Sequence, residues 1–164
     1  MFEQAIALAA EIGEVLRARK RVLATAESCT GGGLGWVVTS VPGSSGWFDR
    51  GFVTYSNLSK QEVLGVRPAT LQEHGAVSGA TVREMAEGAL ASSHADITVA
   101  ISGIAGPGGG TPERPVGTVW LAWAGRWFET EVLECRFDGD RQQVRAQAVM
   151  AALEGIRARV GGEP

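Results

Sequence analysis

Leu23-Ala24-Thr25-Ala26-Glu27-Ser28-Cys29-Thr30-Gly31-Gly32-Gly33 is the stretch that decides how the chain folds. Its first part, Val22–Ala26, is a short apolar run after a break and reads as a buried strand. Glu27–Gly33 turns polar and then glycine-rich. Leu34–Ser40 resumes apolar spacing as a helix that begins inside the turn. A strand that ends in such a turn and re-enters a helix is a building block of α/β folds, whose ligands bind at the carboxyl ends of strands. A helix start there offers free N–H groups and a positive dipole end.

Outward from this stretch, helices and strands alternate. Phe2–Arg19 carries apolar residues at helical spacing, with Arg17, Arg19 and Lys20 at the end that suits the dipole. Phe48–Tyr55 alternates as a strand. Asn57–Leu64, Pro68–Glu73 and Ser78–Ala91 read as helices, with Ser56 or Asn57, Pro68 and Ser78 in starting positions. Ile97–Ile101 reads as a central strand. Gly117–Trp123 and Phe128–Phe137 form a hairpin around Ala124–Arg126. Asp140–Val160 closes the chain as a long helix capped by Asp140. The pattern predicts a three-layer α/β/α sandwich around a mixed, mostly parallel sheet with a late β-hairpin, in one domain over residues 1–164.

The 164 residues suit one core. With 15 basic and 18 acidic residues the formal charge is -3, against bulk nucleic-acid binding. The two cysteines, Cys29 and Cys135, fit a reducing compartment rather than a disulfide scaffold. Glu3, Glu11 and Glu14 interrupt the N-terminal segment, so it does not read as a signal peptide, and no apolar run is long enough to span a bilayer. These readings predict a cytoplasmic protein with no membrane or nucleic-acid partner.

Three segments are candidates for chemistry. In the first, Ser28 is a hydroxyl nucleophile on a turn whose amides, at Thr30, Gly31 or Gly32, suit an oxyanion. A plain strand-to-helix turn, capped by Ser or Thr, explains the same residues about equally well. Cys29 is the rival nucleophile. Adjacent residues at a strand end point opposite ways, so only one of the pair faces the site. The second segment, Ser102–Val116, is a long Gly/Pro-rich loop after the central strand, read either as an anion-binding nest or as a surface loop. The third holds Tyr55 and Lys60. A desolvated Lys, alone or through a Tyr, serves as a base for serine; taken alone, both residues read as ordinary surface groups. His74 and His94 adjoin neither glycine loop, and no cluster has metal-ligand spacing, so no metal is predicted. Arg141 and Arg145 lie one turn apart on the last helix, either to hold a phosphate or as a surface charge cluster. Trp47 and Phe48 are the aromatics best placed to stack on a flat ring.

Thr25-Ala26-Glu27-Ser28-Cys29-Thr30-Gly31-Gly32, Gly51-Phe52-Val53-Thr54-Tyr55-Ser56-Asn57, His74-Gly75-Ala76-Val77-Ser78 and Ser102-Gly103-Ile104-Ala105-Gly106-Pro107 together resemble the signature of the CinA C-terminal domain family. Pro115-Val116-Gly117-Thr118-Val119-Trp120 and Gly139-Asp140-Arg141 extend the resemblance over nearly the whole chain. It implies a nicotinamide-nucleotide amidase in its stand-alone form, converting nicotinamide mononucleotide and water to nicotinate mononucleotide and ammonia without a cofactor. It also implies Ser28 as nucleophile and Tyr55 with Lys60 as the proton-transfer system. The phosphate is then expected on the loop that includes Ser102, Gly103 and Gly106, with Arg141. The alternatives are a non-catalytic pyridine-nucleotide sensor and an interaction module tied to competence or DNA damage. Exposed hairpin edges suggest a homodimer or a higher homo-oligomer.

Overall fold

A computed structural model describes residues 2–163. Along the chain run α1 (Glu3–Arg19), β1 (Leu23–Glu27), α2 (Gly33–Thr39), a 3₁₀ turn (Ser44–Gly46) and β2 (Phe48–Val53). There follow α3 (Asn57–Leu64), α4 (Pro68–His74), α5 (Gly79–Ala91), β3 (Ile97–Gly103), β4 (Thr118–Gly125), β5 (Phe128–Arg136) and α6 (Arg141–Val160). The strands form one sheet in the order β2-β1-β3-β4-β5. β1 is parallel to both of its neighbours, while β4 and β5 are added antiparallel. The fold is the expected α/β sandwich with its mixed sheet and late hairpin.

Strand alternation sorts the side chains onto two unlike faces. Leu23, Ile97, Val99, Ile101, Val119, Leu121 and Trp123 pack with α1, α2 and α6 in one cluster of large side chains. The opposite face is lined by Ala26, Ala100, Ala122 and Ala124, and packs against α5 with Leu64, Val66 and Leu71. Small residues on this second face let α5 lie close to the sheet, where the Thr98 hydroxyl donates to the Ala86 carbonyl at 2.7 Å. The connection from β1 to β2 moves outward one way, and that from β2 to β3 returns past β1 the other way. Crossovers of one hand therefore put α2 on the first face and α3–α5 on the second.

Polar caps fix the helix starts that matter for the site. Ser56 accepts from the Ser59 amide, and Asp140 from the Gln143 amide, each in a reciprocal capping box. Ser78 accepts from the Thr81 amide. Trp47, a stacking candidate, is instead buried in the first cluster, with Phe48 packed against that cluster. The run before β2 serves the core because the 3₁₀ turn folds it inward over α1. Among the described residues no helix is long and apolar enough to cross a membrane.

The second layer has no slack where α5 crosses α3. A Cβ on Gly88 would lie 1.9 Å from the Leu64 carbonyl oxygen, a backbone atom that cannot swing away. Replacing an interior helix glycine by alanine normally gains about 1 kcal/mol. Here the clash reverses the sign, and Gly88→Ala should destabilise by about 1–3 kcal/mol, read as a lower midpoint in urea unfolding.

Candidate active site

Ser28 follows β1 directly, and its amide donates to the Ile101 carbonyl of β3 at 3.0 Å. Ser28 thus sits at the adjoining carboxyl ends of β1 and β3. Alternation sends Glu27 to the first face and Ser28 to the second. There Ser28 Oγ meets Lys60 Nζ at 3.0 Å. Lys60 lies in the first turn of α3, where the Ser56 cap fixes the register of that turn.

Lys60 is only 1% exposed. Its nitrogen also reaches the carbonyl oxygens of Thr54 at 2.8 Å and Tyr55 at 3.3 Å. A neutral amine has two N–H donors and one lone pair. With the two carbonyls taking the donors, the lone pair is left for the Ser28 hydroxyl proton. Burial holds the ammonium below the ordinary lysine value, the direction that favours a neutral amine.

Cys29 points the other way and belongs to the first cluster. Burial pushes its thiol up to about 11. Of the two adjacent nucleophile candidates, only Ser28 has the Lys60 amine within hydrogen-bond distance, and the thiol is protonated at neutral pH.

The turn itself is held by Glu27, which sequence reasoning passed over. This carboxylate is 1% exposed. It accepts the Thr30 hydroxyl at 2.6 Å and the amides of Gly32, Leu34 and Gly35 at 3.2, 2.9 and 3.0 Å. These are the orphan donors of a helix start, so one buried side chain caps α2 and folds the turn back on its own strand. Left-handed φ values at Gly31 (58°) and Gly32 (102°) make the reversal accessible. A lone acid at the end of an apolar strand, immediately before the N-terminus of a helix, was the available signal.

This capping revises the expected oxyanion donors. The Gly32 amide is taken by Glu27 and the Gly31 amide by the Ser28 carbonyl at 3.0 Å. Among the described residues the Thr30 amide has no protein acceptor and the Cys29 amide approaches only its own sulfur.

Tyr55 touches the Ser28–Lys60 pair through its carbonyl, not its ring. The ring is an exposed large hydrophobic, and its hydroxyl accepts from Arg141 at 3.2 Å. Arg141 also donates to the Gly106 carbonyl at 2.7 Å, which joins the long loop to the first turn of α6. Ser102 and Gly103, expected in that loop, are instead the last residues of β3, paired with Trp120 and Val119 of β4, and Ser102 is buried. The loop proper begins at Ile104, because antiparallel pairing extends β3 two residues further. Arg145, considered with Arg141 for phosphate, is turned inward to the carbonyls of Cys29 and Thr30. His74 and His94 are exposed and stand apart from these contacts. Among the described residues no group of three or more His, Cys, Asp or Glu side chains is arranged to hold a metal ion.

The sequence profile of the CinA C-terminal domain matches residues 5–160. The nicotinamide-nucleotide amidohydrolase PncC of Escherichia coli K12 is 52% identical over 149 residues, 91% of this chain and 90% of that one. A protein of the same name from Pseudomonas putida is 52% identical over 151 residues, covering 91% of this chain and 92% of its own. The crystal structure of the competence/damage inducible protein CihA from Agrobacterium tumefaciens superposes with a TM-score of 0.91 at 45% identity, over 93% of each chain.

The lowered Lys60 value has a thermodynamic consequence. The folded state loses the Lys60 proton at a lower pH than the unfolded chain does. Stability relative to Lys60→Met should therefore rise as pH climbs from the folded-state value toward the ordinary lysine value, and stay flat below that window. Urea unfolding of both proteins across that range measures the difference. Separately, iodoacetamide at pH 8 should leave the folded protein unmodified at Cys29, as intact-protein mass would record.

Proposed function

The chain belongs to the CinA C-terminal domain family, and from that premise we propose that it hydrolyses the carboxamide of nicotinamide mononucleotide to nicotinate mononucleotide and ammonia, with Ser28 as nucleophile. The observation that carries the reading is the 3.0 Å contact between Ser28 Oγ and the buried amine of Lys60. Relatives at 52% identity over nine-tenths of the chain are named nicotinamide-nucleotide amidohydrolases, which supports the substrate.

In this reading neutral Lys60 takes the proton from Ser28 as Oγ forms a bond to the carboxamide carbon. The carbonyl oxygen becomes an oxyanion, for which the unpartnered amides of the Ser28 turn are the available donors. The C–N bond then breaks, and the nitrogen leaves as ammonia with the proton held on Lys60. Water attacks the resulting acyl-serine and gives its proton to Lys60. The C–Oγ bond breaks as Lys60 returns a proton to Oγ, and the carboxylic acid released ionises to solvent. The pyridinium charge withdraws electrons from the carbonyl and favours both attacks.

Tyr55 and Arg141 are better assigned to the substrate than to proton transfer. Tyr55 is 63% exposed and presents an aromatic face suited to a cationic pyridinium ring. Arg141, held by the Gly106 carbonyl and the Tyr55 hydroxyl, offers a planar cation to the 5′-phosphate. The loop from Ile104 through Gly106 would border that end of the nucleotide.

Purified protein should release ammonia from nicotinamide mononucleotide, and Ser28→Ala should lose about 10,000-fold or more in kcat. A folded wild-type protein that binds the nucleotide and releases no ammonia overturns the enzymatic reading. Arg141→Ala should raise KM for the mononucleotide roughly 10- to 100-fold and leave the riboside, which lacks the phosphate, nearly unaffected. Steady-state kinetics on the two substrates makes that comparison.

A further inference from the structure

We infer that Arg145 is a positioning residue that aims the oxyanion-binding amides of the Ser28 turn. The inference rests on the Ser28 reading above and names the device that would make its oxyanion site.

Arg145 Nε donates to the Cys29 carbonyl at 3.1 Å, and Nη2 to the Thr30 carbonyl at 3.3 Å. Nη1 donates at 2.9 Å to Gln142 Oε1, one turn back on the same helix. All three guanidinium nitrogens are thereby engaged and the fork is locked. A trans peptide unit is planar, and its N–H points opposite to its C=O. Fixing the Cys29 carbonyl therefore fixes the Thr30 N–H, directed away from Arg145. The Gly31 amide holds the Ser28 carbonyl in the same manner, which fixes the Cys29 N–H.

Direction then follows from the layers. Arg145 approaches from α6, in the first layer with α1 and α2, whereas Lys60 approaches Ser28 from α3, in the second. An N–H directed away from Arg145 is directed from the first layer toward the side where Ser28 Oγ meets Lys60. Glu27 completes the restraint by taking the amides of Gly32, Leu34 and Gly35. The carboxylate draws in the N–H groups that follow the turn, and the guanidinium draws in the carbonyls within it. The Thr30 and Cys29 amides are what the two leave open.

Arg145→Met keeps the side-chain stem and removes the fork; Arg145→Lys keeps the charge and loses the two-carbonyl geometry. The test is ammonia release from nicotinamide mononucleotide across a pH series, with melting temperatures to confirm folding. Arg145→Met should lower kcat about 10- to 100-fold, with KM within about twofold of wild type. The acid limb of the pH profile should stay in place, because Lys60 is untouched, and Arg145→Lys should recover part of the loss. Unchanged kcat in Arg145→Met overturns the inference. So does a loss confined to KM, which would make Arg145 a substrate contact, or a loss that travels with a shifted acid limb, which would make it a field effect on Lys60. Inactive wild-type protein would overturn the amidase reading itself, a different result from an active wild type with an equally active variant. Glu27→Gln, which keeps one carbonyl oxygen for the turn, should show the same kcat-weighted loss if it folds; the inference stands or falls on Arg145.

Discussion

A primary amine buried against a serine hydroxyl is the constraint to which the other features of the site answer. An ammonium removed from water is costly unless it is partnered, and its usual response is to lose the proton. Lys60 is surrounded so that this response is useful: the Thr54 and Tyr55 carbonyls take its N–H groups, and Ser28 takes what remains. The arrangement needs the end of β1, the segment after β2 and the first turn of α3 in one place. Parallel pairing of β1 with β2 brings the first two together, and the Ser56 cap sets the third.

The sheet separates the buried acid Glu27 from the buried amine Lys60. Glu27 and Ser28 are consecutive residues, so the pleat sends the carboxylate to the large-residue face and the hydroxyl to the alanine face. Glu27 meets only hydrogen-bond donors and stays a structural anchor. Lys60 arrives from the opposite layer and meets the Ser28 hydroxyl. Without that separation carboxylate and amine would pair, the amine would keep its proton, and the hydroxyl would lose the base proposed for it. The small side chains of the second face also bring α5 near enough to close that layer over the sheet.

The long loop and the final helix serve the other end of the site. Arg141, in the first turn of α6, ties Gly106 to Tyr55. Tyr55 reaches Lys60 with its carbonyl and Arg141 with its phenol, so one residue spans from the Ser28–Lys60 pair to the cation proposed for phosphate. Arg145, one turn further, is aimed back at the nucleophile turn. A single helix face thereby addresses both ends of the site.

The sequence by itself determined the element order, because hydrophobic pattern and caps are local: the apolar run Ile97–Ile101 and the caps at Ser56, Ser78 and Asp140 can be read without knowing what lies beside them. Its motifs also marked Ser28, Lys60, Tyr55 and Arg141 as candidates and indicated the family. Partners across the fold were not legible, since they depend on which elements meet. Nothing local distinguishes Tyr55 the surface aromatic from Tyr55 the proton donor, or Arg145 the phosphate ligand from Arg145 the clamp. Trp47 looked like a stacking residue because its neighbours are polar, yet its ring lies in the core. Only the tertiary structure decided that Lys60 is dry, that Glu27 caps the turn, and that Cys29 faces away. Burial and hydrogen-bond partnership are properties of residues far apart in the chain, and strand pairing and layer order bring them together.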